Sequence, residues 1–223
     1  LSTINTTYHA DVVLGFKQIP EKNFSRQIYF IEKHMDIVEN MDSYFRIDLL
    51  DKYNNALFEI GHFRKCLDRI ESLIYDVINE NFDSGGEDLF CILLRRKASA
   101  LYHLGEFEQS AFISSELMKI NPDLKDTNKL ITSSAYRLIK EKTKSLRAVA
   151  VMMLIFGITV TCFDLLVIQN FYPEQVVKIG WLRVFTIGGA AVLILGIETF
   201  AFLKGKRNAK KLEKEALQKR GRS

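Results

Sequence analysis

ASALYHLGEFEQS, residues 98–110, decides how the chain is read. The small residues Ala98 and Ser110 flank a Leu-Gly-Glu-Phe turn, which is what a tight joint between two helices needs. Gly105 can take the positive φ that ends a helix, and Phe107 can plug the turn behind it. The same stretch carries His103, seven residues after Arg96. An arginine and a histidine can share work at an RNA phosphodiester as charge stabiliser and general acid/base. The stretch is therefore either architecture or active site, and the rest of the sequence must choose.

A second copy favours architecture. Residues 47–74 read IDLLDKYNNALFEIGHFRKCLDRIESLI, and residues 91–118 read CILLRRKASALYHLGEFEQSAFISSELM. In the first, Leu50, Asn54, Leu57, Gly61, Phe63, Cys66, Ile70 and Leu73 mark a pattern. Leu94, Ala98, Leu101, Gly105, Phe107, Ser110, Ser114 and Leu117 stand at the same offsets, 44 residues later. Arg96 and His103 are not part of the match, because their counterparts are Lys52 and Glu59.

This pattern resembles the tetratricopeptide repeat (TPR), whose usual period is about 34 residues. The extra length falls in 79–88 (NENFDSGGED), a polar stretch that reads as a loop. Asn121-Pro122 would end the second copy, with Pro122 stopping the helix. Departures from the family pattern are Asn54 in place of a small residue, Ser114 in place of a larger apolar one, and Leu117 in place of a small one. The resemblance implies an all-α, short TPR-like helical-hairpin solenoid that binds a protein or peptide ligand. Residues 25–40 carry Ile28, Ile31, Met35 and Val38 on one helical face and read as half of a degenerate first copy. Residues 126–145 form an amphipathic helix expected to cap the solenoid. The Arg96–His103 spacing is similar to the motif that HEPN ribonucleases pair across a dimer. Lys97 departs from the polar residue that commonly follows the arginine there, and His103 also suits the last turn of a helix, where a cation is favoured.

The C-terminal third changes solvent. Residues 148–168 and 184–203 are apolar runs with one charge each, Asp164 and Glu198. About 20 such residues suffice to cross a ~30 Å hydrocarbon core. Residues 147–203 therefore read as a transmembrane helical hairpin, following a 1–146 cytosolic domain and preceding a 204–223 basic tail. The link 169–183 holds Tyr172, Pro173 and Trp181, residues suited to an interface. Lys140, Lys142, Lys144 and Arg147 precede the first span, and Lys204, Lys206, Arg207, Lys210 and Lys211 follow the second. The positive-inside rule then keeps both termini cytosolic, in line with the lack of a secretory apolar run near Leu1. The two acids read as end-of-span residues, with Glu198 reaching for Lys204 or Arg207. Alternatively they line a polar seam in a homo-oligomer, where Gly188-Gly189-Ala190-Ala191 and Gly157-x-x-x-Thr161 let helices approach.

Charge follows the same division. The net +4 of the chain comes from the tail, +7 over 204–223, whereas residues 1–146 carry −3. The tail has no aromatic residues for base stacking, so its expected partner is anionic membrane lipid rather than nucleic acid. Cys66, Cys91 and Cys162 are odd in number and at no metal spacing, which suits helix packing in a reducing compartment. His9, His34, His62 and His103 form no ligand pair, so neither metal nor cofactor is expected. The functional expectation is a membrane-anchored adaptor or scaffold without catalytic residues. The alternatives are an oligomeric membrane effector or pore gated by the cytosolic helices, and a membrane-bound HEPN-like ribonuclease.

Overall fold

A computed structural model describes residues 2–80, 82, 88–121, 125–168 and 176–220. Among the described residues the fold is all-α, with helices packed largely in sequence order. The elements are α1 (Ser2–Lys17), α2 (Phe24–Lys33), α3 (Met35–Glu39), α4 (Ser43–Glu59), α5 (Phe63–Asn79), α6 (Leu89–His103), α7 (Phe107–Ile120), α8 (Lys125–Lys142), α9 (Lys144–Phe163) and α10 (Val176–Arg220). A π-helical turn, Asp164–Ile168, follows α9. The chain divides into two compact units. One is Leu1–Ile131 with Leu212–Ser223, and the other is Thr132–Lys211.

In the first unit α4 packs on α5, α5 on α6 and α6 on α7. Side-chain caps start two of these helices. Asp42 accepts from the Tyr44 amide and Asp88 from the Phe90 amide, each satisfying a donor the helix itself leaves open. Both α4 and α6 stop at a glycine with φ +84°, Gly61 and Gly105. The bonds around the two stops are the same. The His62 amide donates to the Leu57 carbonyl at 2.9 Å and the Glu106 amide to the Leu101 carbonyl at 2.9 Å. The Gly61 amide donates to Phe58 at 3.0 Å, and the Gly105 amide to Tyr102 at 3.1 Å. This double bond around a left-handed residue is the Schellman arrangement. An aromatic pair braces each joint: Phe58–Phe63 at 5.5 Å and 67°, Tyr102–Phe107 at 5.4 Å and 66°. Alanine at Gly61 or Gly105 would have to hold the left-handed conformation, which costs about 1–2 kcal/mol. Either substitution is expected to lower stability by about that amount in a thermal melt, although Gly105 has no side chain within 4 Å to clash with.

The apolar core of this unit has two parts. Val12, Phe16, Ile28, Ile31, Val38, Tyr53 and Leu57 bring α1–α4 together. Ile47, Ile70, Leu73, Val77, Leu89 and Leu93 fill the space between α4, α5 and α6. The helix expected over 25–40 is broken at His34 (φ −116°, ψ 20°). Its backbone amide makes a tightened bond to Ile31, and its ring Nδ1 lies 2.8 Å from the Phe30 carbonyl. Ile28, Ile31 and Val38 are nevertheless buried. The 79–88 insert lies mostly outside the described residues, as does Pro122.

The second unit carries two helices long and apolar enough to cross a membrane. The apolar segments are Lys144–Leu166 and Val184–Asn208, and few of their residues are buried within the structure. A turn at Thr143 separates α8 from α9, where its hydroxyl donates to the Ile139 and Lys140 carbonyls. The return arm differs from the sequence expectation. Residues 169–175 lie outside the described ones, but the helix has formed by Val176, so Trp181 sits on α10 rather than in a loop. The arm then continues without a break through the basic segment to Arg220. Neither proline nor a left-handed glycine interrupts it, and the change from apolar to charged residues is no obstacle to the backbone.

Antiparallel packing sets the register of this unit. Arg147 meets Glu198, and Gly157 faces Thr186 and Ile187. Gly189 faces Met153, and Gly205 lies against Tyr136. Each step forward along α8–α9 is matched by a step back along α10. In this register the apolar runs 148–168 and 184–203 are staggered by about eight residues, ~12 Å at 1.5 Å per residue.

Candidate functional site

Arg96 lies inside the first unit, not on an active surface. Its side chain is 9% exposed, and its guanidinium spans from α6 to α4. Nη1 donates to Asp51 Oδ1 at 2.7 Å and to Asn54 Oδ1 at 3.3 Å, and Nη2 donates to Asn55 Oδ1 at 3.3 Å. His103 is exposed at the end of α6, stacked on Phe63 with ring centroids 4.5 Å apart and planes at 6°. Among the described residues no hydrogen bond or ion pair joins Arg96 to His103. The arginine organises packing, and the histidine covers the neighbouring joint.

Asn54 belongs to the same network. It is fully buried, and its Nδ2 donates to the Cys66 carbonyl at 2.8 Å. Its Oδ1 also accepts from the Cys66 thiol at 3.3 Å. At the matching place in α6 and α7, the Ser110 hydroxyl donates to the Ala98 carbonyl at 2.7 Å. Positions 54 and 66, and 98 and 110, therefore touch in the same way, with the side chain donating from opposite helices. Burial pushes the Cys66 thiol up to about 11, so it stays protonated and unreactive at neutral pH. Cys91 is buried and Cys162 exposed, the latter against the packing role expected of it.

The other packing residues fall at one phase of the helices. Leu57, Leu101, Ala98 and Ser110 are buried, whereas Leu50, Leu94, Phe63 and Phe107 are half-buried. Leu49 and Leu93, one residue earlier than Leu50 and Leu94, are the ones enclosed.

Among the described residues, two of the grooves on this unit bear on the question of a docking surface. One, about 560 Å³, runs between α5, α6 and α7 over Leu67, Leu101, Phe112 and Ile113. Phe112 is 64% exposed on its rim. Two ion pairs fasten its sides, Lys97–Glu71 at 2.8 Å and Arg64–Glu106 at 3.4 Å. The other, about 480 Å³, lies between α4 and the α1–α2 connection, over Phe16, Ile19 and Phe24 and beside Lys17, Lys22 and Asn55. Arg96 donates to the side-chain Oδ1 of Asn55 beside it.

Glu32, on α2, accepts from Tyr53 at 2.9 Å and from Lys65 at 2.5 Å, tying α2 to α4 and α5. The Lys65 hydrogen bond holds its carboxyl below the usual 4.5, and Tyr53 adds to this. A depressed carboxylate contributes stability that is present above the unfolded value and lost as pH falls through the folded one. The first unit is therefore expected to lose stability below about pH 4.5, and Glu32→Gln to make that acid limb shallower in melts across a pH series. Burial and the Glu32 bond raise Tyr53, and the Glu32 bond raises Lys65, so their contributions vanish only in strong alkali.

In the second unit Glu198 does not reach for Lys204 or Arg207. Arg147 Nη2 lies 3.0 Å from its Oε1, and the Tyr136 hydroxyl donates to its Oε2 at 3.1 Å. The antiparallel register brings α8 and α9 to this carboxylate, a relation that α10 alone does not reveal. Asp164 is 2% exposed and opens the π-helical turn. Glu198 is thus engaged within the hairpin, and Asp164 is buried. Gly157, Gly189 and Ala190 are used in the same way, where α9 and α10 touch. Lys204, Lys206, Arg207, Lys210 and Lys211 are exposed along α10, with the Lys204 ammonium 5.1 Å from the Phe200 ring centroid. Among the described residues no group of three or more His, Cys, Asp or Glu could hold a metal ion. No protein-family model, curated protein sequence or solved structure matches the chain.

Proposed function

We propose that the protein is a membrane-anchored adaptor whose N-terminal helices form a short TPR-like array that recruits a protein or peptide to the cytosolic membrane face. The observation that supports this reading is the matched pair of joints. Gly61 and Gly105 share one φ, one set of closing bonds and one aromatic brace. Stacked hairpins of this kind leave grooves between neighbours, and a solenoid of few units needs a partner or cap at its ends. The α5–α7 groove, with exposed Phe112 as an aromatic anchor, is the docking surface of this reading. The two long apolar helices act as the anchor, and the cations at 140–147 and 204–211 direct both termini to the cytosol.

A photo-crosslinking residue at Phe112 in the full chain, expressed in its native membrane, tests the adaptor role. A discrete adduct of one partner is expected, and it should be lost with Lys97→Glu. No adduct, or the same adducts from a crosslinker at exposed Tyr29 on α2, would sink the proposal.

An oligomeric membrane effector is the second reading. It draws on Gly188 and Gly196, which have no neighbour within 4 Å on α10 and leave room for another helix. Leakage from vesicles holding the purified chain, abolished by Gly196→Leu, supports it, and a tight monomer without leakage argues against it.

A further inference from the structure

Cations treat the two units differently. On α4–α7 they are mostly answered by carboxylates, as in Lys65–Glu32, Arg96–Asp51 and Lys97–Glu71. Lys140, Lys142, Lys144, Lys204, Lys206 and Arg207 have no carboxylate partner among the described residues. They come from both arms of the hairpin, and the register brings them together. With Arg147 on Glu198 and Tyr136 on Gly205, residues 140–144 stand level with about 199–204 of α10.

That level mixes two kinds of surface. Phe200, Phe202 and Leu203 are 52%, 59% and 65% exposed there, beside the unpaired lysines. Below it, the exposed residues Val192, Leu195, Ile155 and Met152 are apolar. Above it, the exposed face of α10 is basic. Arg147 and Glu198 neutralise one another at the boundary and add nothing to the net charge of the level. Exposed aromatics and long basic side chains at one depth suit the border between acyl chains and headgroups, where rings lie in the border and lysines extend outward.

We propose that this neck is a collar that binds acidic phospholipids, with the headgroup phosphate against lysines of both arms and the upper acyl chain against Phe200, Phe202 and Leu203. The collar rests on the membrane reading above and adds the binding level and the contribution of the first arm. Attraction to anionic headgroups accumulates with each cation near the surface and is weakened by salt. Six cations drawn from α8, α9 and α10 gather at the neck rather than trailing from it as a tail. Lys210 and Lys211, farther along α10, contribute less.

The full chain reconstituted in phosphatidylcholine bilayers tests the collar, with trace spin-labelled phosphatidylglycerol or spin-labelled phosphatidylcholine as the probe. The motionally restricted fraction of the acidic probe is expected to exceed that of the neutral one by about threefold or more. The excess should collapse towards equality in Lys140→Gln/Lys144→Gln/Lys204→Gln/Lys206→Gln and in high salt. It should survive Lys17→Gln/Lys22→Gln/Arg26→Gln/Lys33→Gln, which removes as many exposed charges from the first unit. Equal fractions for both probes with a fully inserted protein would overturn the collar and leave the membrane reading intact. Protein extracted from the bilayers by alkaline carbonate would overturn both.

Discussion

Arg96→Leu is expected to destabilise the N-terminal helices by about 3 kcal/mol, the lower part of the range for removing one partner of a buried ion pair. For a chain of this size that is a fall in melting temperature of roughly 6–12 °C. The loss has three parts. Asp51 keeps its charge without the guanidinium 2.7 Å away, and the Asn54 and Asn55 side-chain oxygens each lose a donor inside the structure. Arg96→Lys should fall between, because an ammonium can answer Asp51 but cannot fork to both asparagines. Arg96→Leu combined with Asp51→Leu should recover part of the loss by removing the stranded carboxylate. Thermal unfolding of the detergent-solubilised chain, followed by circular dichroism, measures all three. A change below about 1 kcal/mol for Arg96→Leu would mean that α6 is not held to α4 in this way.

Gly205→Leu is expected to split α8 from α10. A Cβ at Gly205 would stand 3.1 Å from Tyr136 Cα and 3.4 Å from its backbone nitrogen. Backbone cannot rotate aside as a side chain can, so the helices must move apart. Overpacking of this kind costs about 1–3 kcal/mol, and here it also breaks the Tyr136–Glu198 hydrogen bond. Gly196→Leu adds the same bulk where nothing lies within 4 Å, and it should leave the hairpin arms in place. Spin labels at Lys140→Cys and Lys206→Cys, with Cys162 replaced by serine, report the separation of the arms. A longer and broader distance distribution is expected for Gly205→Leu alone. Identical distributions for the two leucine variants would refute the close approach of α8 to α10.

The parts of this molecule that were legible in its sequence are those fixed locally. A helix stop needs a residue able to hold positive φ and a ring two positions on, and Gly61-x-Phe63 and Gly105-x-Phe107 state both within three residues. The long apolar runs are local for the same reason. What stayed hidden depends on partners far along the chain. Asn54 looked like a flaw in the pattern, because the carbonyl of Cys66 and the guanidinium of Arg96 that satisfy it lie 12 and 42 residues away. From sequence, Glu198 reads as reaching for Lys204 or Arg207, because nothing in α10 says which residue of α9 stands opposite. The repeat pattern marks Leu50 and Leu94 while the fold encloses Leu49 and Leu93, because adjacent leucines leave the rotational phase of a helix undecided until its neighbours are in place. The extent of α10 is hidden for another reason. Hydropathy registers where the preferred solvent changes, while helix continuity depends on capping and backbone freedom, neither of which changes near residue 203.

The order of packing has a consequence for biogenesis. Helices α5 to α7 each rest on the one just before, and their joints close through bonds between residues a few positions apart. Such short-range topology folds quickly, on a timescale of microseconds to milliseconds, whereas a ribosome adds about 5–20 residues per second. The N-terminal helices can therefore be complete before the apolar segments have been synthesised. Under the proposed topology, a domain already folded on the side of synthesis is poorly suited to translocation. The two apolar helices would then enter the bilayer as a pair, leaving behind them a finished domain that had never crossed it.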